Sequence, residues 1–267
     1  MIVWNVNPDI FTIGPFTVRW YGLLFAISFI VGFQIMVVIF KKEGRTEDDL
    51  NDLIWHMILG TVLGARLGHC LFYNPSYYLS HPLEILMVWK GGVASHGAAI
   101  GILLAIYLFA RKRKEYTFLW VMDRIVITVA LAGFFIRMGN LFNSEIVGIP
   151  TNANWGFIFT HDLEHSTVPR HPAQLYEAIA YLIIFIALMT YYFKTNAKFK
   201  SGKIFGIFLI SVFTFRFFVE FLKEDQSYFE KGMILNMGQL LSIPLIILGI
   251  YILLRHDKKI IKIEKNK

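Results

Sequence analysis

Seven stretches of apolar residues, at about 17–40, 53–73, 93–110, 118–142, 174–193, 204–222 and 236–254, govern what this 267-residue chain can fold into. Each approaches the roughly 20 residues that a helix needs to cross a bilayer. Charged residues make up 17% of the chain, against roughly 25% in a soluble domain. A net charge of +7 would suit a nucleic-acid binder only on a solvated basic face, and here the basic residues fall between apolar runs instead. Nucleic acid is therefore not an expected partner. The single cysteine, Cys70, excludes an intrachain disulfide and a cysteine-based metal site.

The loops orient the chain. Lys41, Lys42 and Arg45, the run Arg111 to Lys114, then Lys194, Lys198, Lys200 and Lys203, and six more basic residues after the seventh stretch place seventeen on one side. Lys90, Arg170, Lys223 and Lys231 place four on the other. Basic residues stay cytoplasmic. The fold class expected is thus an all-α polytopic membrane protein of seven transmembrane helices, N-terminus outside and C-terminus in the cytoplasm. The first sixteen residues carry no lysine or arginine and the run that follows is too long for a signal h-region, so the first span is expected to remain in the mature protein. One integral-membrane domain over 1–267 is expected, with residues 143–173 as a small extracytoplasmic insertion whose glycines and prolines suit turns. The lysine-rich tail from Arg255 reads as a juxtamembrane anchor.

This topology gathers polar groups at one depth. Arg19 and Tyr21 begin the first span from outside, and Arg66 lies seven residues before the outer end of the second, roughly 10 Å deep at the helical rise. His96 starts the third span, and Arg137 and Asn140 end the fourth, with Asn143 and Glu145 just beyond. Gln174, Tyr176 and Glu177 begin the fifth, and Arg216 and Glu220 lie in the outer part of the sixth. That level holds the phosphates and glycerols of the outer leaflet, and arginine suits phosphate because its planar fork donates two parallel hydrogen bonds while staying ionised. Each residue also has a plainer reading. Arg216 and Glu220, one turn apart, can neutralise each other; Arg19 can reach the interface without a ligand; His56 and His69 suit structural roles; Asp123 and Arg124 suit a cytoplasmic-side pair. Arg66 and Arg137 have no opposite charge one turn away on their own helices, which favours a ligand. Residues alone leave a lipid-handling enzyme, an organic-anion transporter and a membrane scaffold open.

Six stretches in order resemble the bacterial prolipoprotein diacylglyceryl transferases over nearly the whole chain. They are Arg19-Trp20-Tyr21-Gly22; Gly64-Ala65-Arg66-Leu67-Gly68; Ser95-His96-Gly97 after Gly91-Gly92; Arg137-Met138-Gly139-Asn140-Leu141-Phe142-Asn143-Ser144-Glu145 with Gly148 behind it; His171-Pro172-Ala173-Gln174-Leu175-Tyr176-Glu177; and Arg216-Phe217 with Glu220. Ile136, the order Leu141-Phe142, Val212 and Lys223 depart from the family pattern, which often has arginine where Lys223 stands. The resemblance implies transfer of the diacylglyceryl group of phosphatidylglycerol to the lipobox cysteine of a preprolipoprotein, with release of glycerol phosphate. It implies a bacterial inner membrane, an active site near the outer leaflet and no metal or cofactor. On this reading His96, Arg137 and Arg216 are the catalytic candidates, the two arginines holding phosphate and the imidazole taking or orienting the thiol proton. Asn140, Asn143 and Glu145 would hold Arg137 and the glycerol hydroxyls. Arg19, Tyr21 and Arg66 would line the lipid site, and Gln174, Tyr176, Glu177 and Glu220 would support it.

Overall fold

A computed structural model describes residues 1–87, 92, 94–162, 167–224 and 232–255. Lys90, Gly91, Val93, Lys231 and the lysine-rich tail beyond Arg255 lie outside the described residues. A long helix occupies each of the seven apolar stretches: α1 (Trp20–Lys42), α2 (Glu47–Phe72), α5 (Ser95–Lys112), α6 (Phe118–Phe142), α7 (Ala173–Lys194), α8 (Lys203–Val219) and α9 (Met237–Leu254). Two short helices, α3 (Pro75–Ser80) and α4 (Pro82–Ile85), each start on a proline, whose missing N–H costs nothing at a first turn. Five of the long helices, α1, α6, α7, α9 and α8 extended to Leu222, are long and apolar enough to cross a membrane. They make this a multi-pass membrane protein. The other two are less apolar: α2 carries Glu47, Asp48, Asp49, Asp52 and Arg66, and α5 interleaves glycine and alanine with its aliphatic residues.

The chain divides into two compact units, Met36–Met122 and the remainder. In the first, α2 and α5 approach so closely that a Cβ on Gly101 would strike the carbonyl oxygen of Gly60, and one on Gly97 that of Gly64. Without water to drive apolar burial, van der Waals contact between backbones holds such a pair, and small residues permit it. At the other end of this pair Arg113 bonds Asp49 Oδ1 and Asp52 Oδ2, both at 3.0 Å. Tyr116 donates to Asp49 at 2.8 Å, and Thr46 caps α2 by accepting from Asp49 N.

In the second unit α8 packs against both α7 and α9. Asp123, fully buried, accepts from the N–H groups of Gly202 (2.7 Å) and Phe205 (2.9 Å), satisfying donors that the first turn of α8 leaves free. Its distance to Arg124 is 3.8 Å, and Arg124 lies over the Phe199 ring, so this carboxylate serves the start of α8 more closely than its sequence neighbour.

Among the described residues four strands accompany the helices. β2 (Asp9–Ile13) and β3 (Phe16–Arg19) form a hairpin that runs directly into α1. β1 (Ile2–Trp4) pairs in parallel with β4 (Phe157–Phe159), Ile2 opposite Phe157. The segment between α6 and α7 is built on this pairing. Leu141, Val147, Phe157 and Phe159 form its buried core, with Trp4, Met138 and Leu175 packed against it. The Trp4 indole N–H donates to the carbonyl of Leu141 at 3.0 Å, which fastens the N-terminus to the end of α6.

Candidate functional site

The candidate site stands where α6 and α8 end and α7 begins, beside the insertion. Burying an ionised side chain is costly unless it is paired, so charges here have to find one another. Arg137, near the end of α6, forms an ion pair with Glu177, its Nε standing 2.9 Å from Oε2. Glu177, on α7, is fully buried and also meets Lys223 Nζ at 3.1 Å. The same ammonium lies 2.9 Å from Glu220 Oε1, and Glu220 lies 3.5 Å from Arg216 Nε. The result is one unbroken chain of alternating charge, Arg137–Glu177–Lys223–Glu220–Arg216. Three cations against two carboxylates leave it one positive charge in excess. Lys223 and Glu220 are almost wholly buried, whereas 36% of the Arg216 side chain is exposed, so the excess can be presented there.

A second set of bonds leaves the other side of Arg137. Its Nη1 donates to Asn140 Oδ1 at 3.0 Å, and Asn140 Nδ2 donates to Glu145 Oε1 at 2.7 Å. Asn143 Nδ2 reaches the same oxygen at 3.3 Å. Glu145 is exposed and stands outside the direct ion-pair chain. Its neighbours Ser144 and Ile146 have φ of 55° and 57°. That conformation is rare for a β-branched residue such as Ile146 and is strained. What holds the turn is visible. Glu145 N donates to Asn140 O at 3.1 Å, Gln174 Nε2 donates to Glu145 O at 3.2 Å, and Gly148 N donates to His171 O at 2.9 Å. A Cβ on Gly148 would lie 2.5 Å from Leu222 O, so only glycine fits there. Asn143 Oδ1, Ser144 Oγ and Gln174 Oε1 are buried and meet no hydrogen-bond partner among the described residues. Two of the three can only accept, so this side of the site suits a ligand that brings hydroxyls or N–H groups.

The remaining expected residues are placed as follows. Tyr21 packs against the α6 turn at Gly139, where an added Cβ would lie 2.7 Å from its ring. Arg19 pairs with Asp9 at 2.9 Å on the exposed hairpin. The Tyr176 hydroxyl accepts from Trp155 Nε1 at 3.0 Å and lies 3.1 Å from His171 Nδ1. Below it an apolar groove of about 480 Å³ runs along α7 and α8, lined by Tyr176, Ile179, Ile183, Ser211 and Phe215 among others. Arg66 and His96 belong to the Met36–Met122 unit. Arg66 is buried and donates to the carbonyls of Glu84 (2.6 Å) and Ile85 (3.1 Å) in α4 and of Gly92 (3.4 Å). His96 is exposed in the first turn of α5.

Two members of the cluster were given no role from the sequence. Tyr181, one turn after Glu177, donates to its Oε1 at 3.3 Å. Lys223 was counted as an outer-loop cation, and its ammonium lies instead at the centre of the ion-pair chain. The spacing of three residues from Glu220 was the available signal.

A family model described as prolipoprotein diacylglyceryl transferase matches residues 8–255. Curated relatives named phosphatidylglycerol–prolipoprotein diacylglyceryl transferase include one from Chloroherpeton thalassium, 49% identical across 97% of this chain and 95% of the relative. One from Tolumonas auensis is 46% identical across 97% and 99%. One from Bacteroides fragilis is 42% identical across 97% and 96%.

Proposed function

The chain belongs to the prolipoprotein diacylglyceryl transferase family, and from that premise we propose how its own residues carry out the transfer. It is a transferase of lipoprotein biosynthesis, moving the diacylglyceryl group of phosphatidylglycerol to a prolipoprotein. In the reaction the lipobox cysteine sulfur attacks the glyceryl carbon of the lipid. The C–S bond forms as the C–O bond to phosphate breaks, and the thiol proton leaves with a base. The phosphodiester carries one negative charge and the departing glycerol phosphate develops a second. A site for this step therefore needs cations placed before the charge appears.

The observation that carries the assignment is the excess positive charge of the Arg137–Arg216 chain. Arg137 and Arg216 take the phosphate. Asn140, Asn143 and Glu145 hold Arg137 and receive glycerol hydroxyls, which the unpartnered acceptors of Asn143 and Gln174 favour. Tyr176, Glu177 and Glu220 hold the arginines and the wall beside them. Tyr21 supports the turn at Gly139. Arg66 shapes the pocket through the carbonyls it ties down, and Arg19 anchors the first span at the interface. His96 takes or orients the thiol proton, since a free thiol with a pKa near about 8.5 needs a neighbour to become a thiolate at neutrality. The chain works as one integral-membrane domain over 1–267 with 143–173 as its outer insertion. It crosses the bacterial inner membrane seven times with its N-terminus outside, which puts the site near the outer leaflet. The test is mass spectrometry of a lipobox peptide incubated with purified protein and phosphatidylglycerol. A diacylglyceryl mass increase on the cysteine is the expected result, and an unmodified peptide with well-folded protein would reject the reading.

A further inference from the structure

We propose that Lys223 is a positioning residue for the transfer: by bridging Glu177 and Glu220 it keeps Arg137 and Arg216 available to phosphate. The inference rests on the phosphate role given above to the two arginines, and it adds a residue to which neither the resemblance nor the depth argument gave a role.

The geometry has three parts. First, Lys223 Nζ lies 3.1 Å from Glu177 and 2.9 Å from Glu220, which belong to α7 and to the 3-10 turn after α8. Its ammonium touches both carboxylates that hold the arginines. Second, the ammonium sets the arithmetic. With it the five-membered chain carries +1; without it the chain carries zero, and each arginine is wholly matched by a buried carboxylate. A neutral chain has no charge left over for a phosphodiester. Third, the backbone of Lys223 is fixed to the loop that carries Asn143 and Glu145. Gly148 and Lys223 form an antiparallel bridge, and Ile149 N donates to Leu222 O at 3.0 Å. Glu220 is itself held by Asn236 Nδ2 at 3.1 Å and by close packing on Gly238, so the ammonium closes an arrangement whose other parts are already placed.

A buried lysine in this position is not a catalytic residue, because its ammonium faces carboxylates and 3% of the side chain is exposed. A compact point charge suits two acceptors on different helices, whereas a guanidinium fork suits one carboxylate taken side-on. Arginine at this position restores charge but alters spacing, and methionine removes charge at similar volume.

The experiment measures kcat and KM separately for phosphatidylglycerol and for lipobox peptide, on the full-length protein. Lys223→Met is expected to lower kcat/KM for the lipid by about 100-fold, as loss of preorganised charge does, with peptide KM within about twofold of wild type. Lys223→Arg is expected to return activity to within about tenfold of wild type, since net charge is kept. The double variant Glu220→Gln with Lys223→Met brings the chain back to +1 and is expected to regain about tenfold over the single variant, a coupling that independent sites would not show. Lys223→Met with unchanged lipid kcat and KM overturns the proposal. So does a loss shared equally by lipid and peptide KM that neither Lys223→Arg nor the double variant relieves, which marks packing alone. If Lys223→Met does not purify as a monodisperse protein, the double variant decides: recovery of fold and lipid kinetics supports charge balance, and continued failure overturns it. Failure of the wild-type protein to modify peptide would instead strike the transfer reading itself.

Discussion

Two ion-pair networks in this molecule solve different problems with the same residue types. In the Met36–Met122 unit, Asp49 and Asp52 meet Arg113, and Asp52 also meets Lys112 at 3.2 Å. Two carboxylates and two cations cancel. In the other unit, Glu177 and Glu220 meet Arg137, Lys223 and Arg216, and one positive charge is left over. Burial differs in the same sense. Lys112 is 60% exposed, while the Lys223 side chain is 3% exposed. A neutral network at a helix end holds helices together, and water screens what remains of it. A nearly dry network with a surplus costs stability, because buried pairs barely repay their desolvation. Such a surplus persists where a ligand of opposite charge completes it. That contrast is the reason for assigning the phosphate to the second network.

Substitutions that separate the two networks break or sharpen this reading. The largest effect expected is from Arg137→Ala, which removes a cation from the surplus and leaves Glu177 with the Lys223 ammonium and the Tyr181 hydroxyl. Transfer measured by peptide mass spectrometry should fall by about 1,000-fold, at the upper end for loss of one preorganised donor. His96→Gln tests the proton instead of the phosphate. It should lower the transfer rate by roughly 100-fold, the usual range for a lost acid–base group, while leaving lipid KM unchanged. Gly101→Leu attacks the helix pair that the neutral network terminates. The new side chain meets the Gly60 carbonyl, and overpacking of this kind costs about 1–3 kcal/mol or more, read as lower monodisperse yield and a lower thermal midpoint.

The smallest effect expected is at the neutral network itself. Asp49 is pushed up by burial, but hydrogen bonds from Thr46 and Tyr116 and the charge of Arg113 outweigh this and leave it below the ordinary 3.8. Asp52 follows the same pattern, its burial outweighed by hydrogen bonds from Arg113 and Lys112. Carboxylates depressed on folding contribute stability that is present above the unfolded value and is lost as pH falls through the folded one. The thermal midpoint should therefore hold steady down to about pH 4 and decline below it. In Arg113→Ala both groups move back toward 3.8, so the stability they contribute above that value shrinks: the midpoint at neutral pH should be lower and its decline below about pH 4 shallower, with transfer at neutral pH unchanged.

Much of the architecture was legible in the chain because the bilayer restricts the choices. Apolar runs of about 20 residues have few alternatives to helix, and a helix stands at every one of the seven stretches. The strands were not legible. β1 finds its partner some 150 residues later, so nothing local marks Ile2–Trp4 as a strand. In the site, neighbours along a helix or turn were readable, such as Arg216 with Glu220 and Arg137 with Asn140. Contacts between elements were not. The pairing of Arg137 with Glu177, the carbonyls that Arg66 holds and the central place of Lys223 each depend on where separate segments meet. Lys223 shows the cost of counting charges by loop alone, since a loop cation is buried among carboxylates.

The most direct measurement is equilibrium titration of phosphatidylglycerol into wild type, Arg137→Ala and Arg113→Ala in a neutral detergent. If the surplus charge receives the phosphate, Arg137→Ala weakens binding by about 10- to 100-fold, the equivalent of one charged hydrogen-bonded contact. Arg113→Ala then stays within about twofold of wild type, as a screened neutral network predicts. Equal affinity in wild type and Arg137→Ala, or equal losses in both variants, would contradict the account.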